Sequence, residues 1–133
     1  MTRATPLARS SQRGSAAVEF ALVLPLLMVI VLALLQVGLL VKDQLVLIGA
    51  ARAGAREAAV SRDDRRVREA TVESAVSLRS EDVQVEVRRD GGVGTAAAVT
   101  VLYRASAVVP FVEWLFPATV ELRASATMRQ ETE

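Results

Sequence analysis

The chain contains neither cysteine nor histidine. Without a thiol no disulfide can staple the fold, and cysteine usage says nothing of the redox compartment. Together the two absences remove the Ser-His and Cys-His nucleophile pairs and the usual zinc ligands. Aromatic residues are 4% of the 133 residues, and the formal net charge is +1. That leaves few stacking platforms and no basic excess, so nucleic acid is not expected as a partner. The paired acids Asp63-Asp64 and Glu81-Asp82 fall in charged turns with no apolar pocket to shift them. Gly91-Gly92-Val93-Gly94 lacks the following helix and the Lys that phosphate binding needs. No catalytic, cofactor-binding or metal-ligating set remains, and neither an enzyme nor a cofactor is expected.

What the chain has is one long apolar run. From Phe20 to Val41 no residue is charged, and only Pro25, Gln36 and Gly38 fall outside the apolar set. A bilayer core is crossed by about 20 apolar residues in a helix. At roughly −0.3 to −0.6 kcal/mol per large apolar residue near the centre, insertion gains about 5 to 10 kcal/mol, more than one Gln and one Pro cancel. The run therefore reads as a membrane helix, with lipid as its first partner. Pro25 removes one backbone bond and can kink the axis, which neighbours or water tolerate in membrane helices. A harmless kink and a site of local melting both fit it.

Residues 1–14 are polar and basic, with Pro6, Arg3, Arg9 and Arg13, and contain nothing that forms a core. They read as a leader. A secretory signal peptide has an apolar region of about 7 to 15 residues ending in a small-x-small site. This run is longer, and Lys42-Asp43-Gln44-Leu45 offers no such site, so the segment is expected to stay attached. Glu19 stands at the edge of the run. A carboxylate there can simply bend toward water. It is not isolated, however: the order is a basic leader, then Gly14, then Ser15-Ala16-Ala17-Val18-Glu19-Phe20.

That order resembles the type IV prepilins, and within them the TadE-like minor pseudopilins of tight-adherence (Flp-type) pili. RGSAAVEFALVLPLL follows the form in which this subfamily starts, and Ala50–Val60 (AARAGAREAAV) and Ser125–Glu131 (SATMRQE) are similar to TadE-like sequences as well. The middle of the chain, about 62–109, adds nothing to the likeness. The resemblance implies a prepilin peptidase that cuts after Gly14 at the cytoplasmic membrane face, leaving Glu19 as the fifth residue of the mature chain. It further implies other pilin or pseudopilin subunits and a pilus assembly platform as partners.

Physical chemistry supports such a cut. A peptidase binds extended backbone, and Gly at the cut permits close approach. The leader arginines favour the cytoplasmic side. Cleavage would give Ser15 a free α-amino group about one helical turn before Glu19, so that Glu19 of one chain could pair with the amine of a neighbour and serve as a register device for assembly. By charge alone orientation is a tie, since Lys42, Arg52 and Arg56 follow the run. The Gly14 site, cytoplasmic in prepilins, breaks the tie. The chain is expected in the cytoplasmic membrane, single-pass, with its C-terminal part extracytoplasmic.

Past Val41 the helical pattern continues through about residue 60, rich in alanine and free of proline. A helix over 16–60 spans about 67 Å, so about half of it projects beyond a ~30 Å hydrocarbon core. Small residues recur four apart, Gly49 with Ala53 and Ala50 with Gly54. That spacing suits close helix packing, although an alanine-rich helix shows it too. Arg52 and Arg56 mark a wet side.

Asp63 or Asp64 is placed to cap a second helix from Arg65 to about Leu78. The arginines around it fit a solvated turn or an acidic partner. The period then changes to two. Val83, Val85 and Val87 alternate with polar residues, Asp90–Gly94 signals a hairpin, and strands follow over about 95–104 and 119–129. The fold class is α+β, a long N-terminal transmembrane helix projecting into a small domain whose three-stranded antiparallel sheet packs on residues of about 45–60. The domains are a leader (1–14), the helix (15–60) and an extracytoplasmic domain (61–133). Between the last two strands, Trp114 and Phe116 lie in an apolar stretch bounded by Pro110 and Pro117. It fits a satellite core, the outer membrane surface, or a partner subunit.

Three functions fit these observations. One is a pilus biogenesis component, minor pseudopilin or assembly factor, processed after Gly14. Another is an uncleaved single-pass protein whose outer domain binds an envelope partner. The third is a secreted small-molecule binder with an uncleaved signal. Within the resembled group TadE-like and TadF-like stay open, and the short length argues against the larger TadG-like proteins.

Overall fold

Helix α1 runs unbroken from Ser10 to Val60, through Pro25. The computed structural model describes the backbone of residues 10–106 and 118–131 and the side chains of 14–106 and 118–131. At 51 residues α1 is about 77 Å long. It starts earlier than the expected position 16, because nothing between Pro6 and Pro25 interrupts a helix and Gln12 and Arg13 are good helix formers. Its first half is bare on nearly every side, with Leu22 75% and Leu34 67% exposed. Its second half buries one stripe: Leu47, Ala50, Ala51, Ala55 and Ala58 are fully covered. This is the only helix among the described residues long and apolar enough to cross a membrane.

A sharp turn ends α1. Ser61 N donates to Glu57 O at 2.8 Å, and the Ser61 hydroxyl accepts from Asp63 N at 3.2 Å. Asp63 then caps α2, Asp64–Ser74, accepting from Arg65 N at 2.9 Å. Helix α2 is one turn shorter than expected from the apolar spacing. Ala75 leaves the helical region with φ −92° and ψ 39°, and the tightened turn lets Ala75 and Leu78 both dock in the core while Val76 is 88% exposed. A short 3-10 turn at Ser80–Asp82 leads into the sheet.

Strands β1 (Val83–Arg89), β2 (Ala96–Ser106) and β3 (Thr119–Arg129) pair antiparallel in the order β1-β2-β3. Alternation places Val99, Val101 and Tyr103 of β2 inward, with Ala124 of β3 beside them. The β1–β2 hairpin closes with Thr95 N donating to Gly92 O at 3.1 Å. Gly94 holds φ 86°, a left-handed conformation that suits glycine. After β3, Glu131 N donates to Ala59 O at 2.8 Å and ties the end of the sheet to the end of α1. Near its start, Gln44 donates to the Arg123 carbonyl at 2.9 Å, so β3 runs in the same direction as α1.

The closest approach is at Gly54. A Cβ there would collide with Thr71 Oγ1 of α2 and come within 3.0 Å of Val99 Cγ1. Glycine thus lets α2 and β2 close on the same turn of α1, whereas Gly49 has nothing within 4 Å of its Cβ direction. Gly54→Ala should destabilise the domain by about 1 to 3 kcal/mol through overpacking, while Gly49→Ala should be neutral or gain up to about 1 kcal/mol from helix propensity. Denaturant unfolding of the detergent-solubilised chain, followed by Trp114 fluorescence, measures both. Asp63→Ala should cost about 1 kcal/mol in the same assay by removing the cap.

Candidate functional site

The residues singled out from the sequence fall in three places. Gly14, Ser15 and Glu19 lie on the first described turns of α1, all exposed. The Ser15 hydroxyl faces the Glu19 carboxylate, donating to Oε1 at 3.4 Å, one turn along the helix. A Cβ built on Gly14 has nothing within 4 Å, so the backbone there is approachable. It is also helical, since α1 begins at Ser10, and extended binding in a peptidase would require the turns before Ser15 to unwind. Helix ends fray readily, and Gly14 itself is exposed.

The small residues divide between two faces. Ala50 and Gly54 are buried against the chain's own sheet and α2. Gly49 and Ala53 lie on a neighbouring flank, where they and Arg52, Arg56 and Glu57 line a shallow open recess. Spacing of four puts each pair on one face, and the step of one residue between the pairs separates the faces by about 100°. Trp114 and Phe116 lie outside the described residues.

Two contacts escaped the sequence reading. Arg89 occupies the inward register of β1, in line with Val83, Val85 and Val87, where alternation calls for an apolar residue. Its guanidinium instead pairs with Asp64 and donates to Ser61 O at 3.1 Å, pinning the end of β1 to the α1–α2 turn. The charge at an inward position was the signal. Thr71, buried beneath Gly54, satisfies its hydroxyl by donating to Val67 O at 2.6 Å; nothing in the sequence separates it from the exposed threonines. Gln36, the one amide in the apolar run, is 2% exposed. Among the described residues no acidic group of three or more could hold a metal ion.

This geometry belongs to a scaffold, a helix bare along one half and clad by a small sheet along the other. Its length and composition suit a single-pass membrane anchor. Comparison with curated proteins and with solved structures gives no match. Comparison with family models matches residues 14–56 to the family described as TadE-like protein. The matched stretch begins at Gly14 itself, takes in Glu19, the apolar run and both small-residue pairs, and ends at Arg56, short of Ser125–Glu131. Over this N-terminal stretch the chain is similar to the TadE-like family, a likeness consistent with a TadE-like protein of tight-adherence pili.

Proposed function

We propose that this protein is a pilus biogenesis component, a minor pseudopilin or assembly factor of a tight-adherence pilus, inserted in the cytoplasmic membrane and processed after Gly14. One observation carries the reading. The family match starts at the same glycine that lies open on the helix, one residue before the Ser15–Glu19 contact and at the mouth of a bare apolar helix. In this reading residues 1–14 stay in the cytoplasm, prepilin peptidase cuts between Gly14 and Ser15, and residues 61–133 fold outside.

The contact between Ser15 and Glu19 supplies the physical logic. In the uncut chain a neutral hydroxyl is the carboxylate's partner. The cut adds a cationic amine at the same residue, so that an ion pair can take the place of a hydroxyl–carboxylate bond and neutralise the carboxylate's charge. Within one chain or between neighbours, that pairing lets Glu19 be carried into an apolar bundle of helices, where a lone carboxylate would be costly. Pilin or pseudopilin subunits and the assembly platform are the partners this requires. Trp114 and Phe116 stand as a proposed partner surface, and Gly49 with Ala53 as the flank of α1 left open to another helix.

A second reading, an uncleaved single-pass protein whose outer domain binds an envelope partner, is favoured by the helical backbone through Gly14. N-terminal sequencing of the protein extracted from its host's membranes separates the two. A start at Ser15 is expected, and a start at residue 1 or 2 contradicts processing. Gly14→Val should retain the leader, since a branched side chain blocks the approach to the cut. Glu19→Val should leave cleavage unchanged but sharply lower the amount of the protein recovered in sheared pili or pilus assembly complexes; normal recovery would remove the role given to Glu19.

A further inference from the structure

Among the described residues the sheet has two open edges whose directions and chemistry match each other. Asp90 N donates to Ala96 O, which fixes the parity of β1: its even-numbered residues bond to β2, and Val83, Val85, Val87 and Arg89 point their N–H and C=O groups outward. Gln130 N donates to Thr95 O, which does the same for β3. There Thr119, Glu121, Arg123, Ser125, Thr127 and Arg129 carry the outward groups. Among the described residues only one of these β3 groups is engaged, the Arg123 carbonyl that accepts from Gln44, and a carbonyl has a second lone pair. Beneath both edges lie half-buried apolar side chains: Val83, Val85 and Val87 on one side, Leu122, Ala126 and Met128 on the other. A row of unpaired backbone above a half-covered apolar row is a template for strand addition.

We propose that copies of this chain associate side by side, β3 of one pairing in parallel with β1 of the next. Antiparallel pairing of two β3 strands, about a twofold axis normal to the sheet, would reverse α1 in one copy relative to the other. Copies anchored by the same apolar helix from the same side of one bilayer have parallel α1 helices, so that arrangement is excluded. Strands β1 and β3 point the same way within a copy, because each is antiparallel to β2. Joining them between copies therefore keeps every α1 parallel.

Charge selects the register. Parallel pairing sets an outward-bonding residue of β3 beside an even-numbered residue of β1, both with side chains on the outer face. With Arg123 beside Glu86 of the next copy, all of Val83–Arg89 lies against β3, inside Thr119–Arg129, and opposite charges adjoin. A two-residue slip one way sets Arg123 beside Arg88 and Glu121 beside Glu86, like against like. The opposite slip sets Arg123 beside Gln84, leaves Glu86 and Arg88 beside Ser125 and Thr127, and brings opposite charges together only at the frayed end, Asp90 with Arg129. The backbone ladder supplies the affinity, and the exposed ion pair chooses among registers.

This register has a geometric consequence. Within one copy Glu86 lies across β2 from Ser125, through Thr100. Placing it beside Arg123 of the neighbour shifts each copy by two residues along the strand, about 7 Å. The contact is heterologous and does not close by itself, and because each step lifts the next copy along its own helix, one bilayer holds only short runs of copies.

Disulfide trapping tests the pairing, and the absence of native cysteine makes the background clean. Full-length chains bearing Gln84→Cys and full-length chains bearing Glu121→Cys, which lie side by side in this register and leave Glu86 and Arg123 in place, are inserted together into phospholipid vesicles and mildly oxidised. Both positions are exposed, and the uncleaved chain is used throughout, so the result is independent of processing after Gly14. A covalent dimer is expected from the mixture and from neither variant alone, and chains carrying both substitutions should give a ladder of higher species. Ser125→Cys alone should stay monomeric. No product from the mixture, or self-dimers of Ser125→Cys as a twofold β3 contact would give, overturns the proposal.

Discussion

The structure depends on one helix serving two solvents. Along its first half α1 has no protein beside most of its side chains, and Leu22, Leu34 and their neighbours are open. Along its second half a sheet and a second helix must lie so close that the stripe beneath them is Ala50, Ala51, Gly54, Ala55 and Ala58, with Leu47 the largest member. Larger side chains on that stripe would hold the sheet away, and the contacts at its two ends, Gln44 to Arg123 and Glu131 to Ala59, would not both form. The domain has little core to spend on such errors, since alanine contributes much less buried apolar area than leucine or valine.

The same division explains why the function reads as assembly. A bare apolar helix asks for lipid or for other helices, and a carboxylate at its mouth asks for a cation. In the proposed reading, a cut between Gly14 and Ser15 would provide that cation one turn from Glu19. The clad half presents something different: a sheet with two edges open among the described residues and an α1 flank lined by Gly49, Arg52, Ala53 and Arg56. The TadE-like match, residues 14–56, takes in the bare half of α1 and most of the stripe beneath the sheet.

Much of this architecture could be read from the chain. The alternation in β1 and β3 survives because each strand has one wet face and one covered face, and Asp90–Gly94 turns where Gly94 needs its left-handed φ. The long helix was legible from composition alone. Its early start was not, because the residues before Gly14 look like a leader whether or not they coil. The end of α2 was misplaced by one turn because Ala75 and Leu78 keep an apolar spacing that a tightened turn also satisfies. The pairs Gly49–Ala53 and Ala50–Gly54 looked alike because spacing reports a shared face and not what covers it. Arg89 shows the converse, a charge in an inward register held there by Asp64 and Ser61 O.

Leu34 and Leu45 offer the most direct measurement of the two-solvent account. In the chain by itself they are equally open, 67% and 64% exposed, so any difference between them must come from the medium. Spin labels attached through Leu34→Cys and Leu45→Cys, in the full chain in phospholipid vesicles, report collision with dissolved oxygen and with an aqueous paramagnetic nickel complex. The account predicts that the label at position 34 meets oxygen and is shielded from the complex, while the label at position 45 is reached by it. Equal access of the aqueous complex to both positions would contradict it.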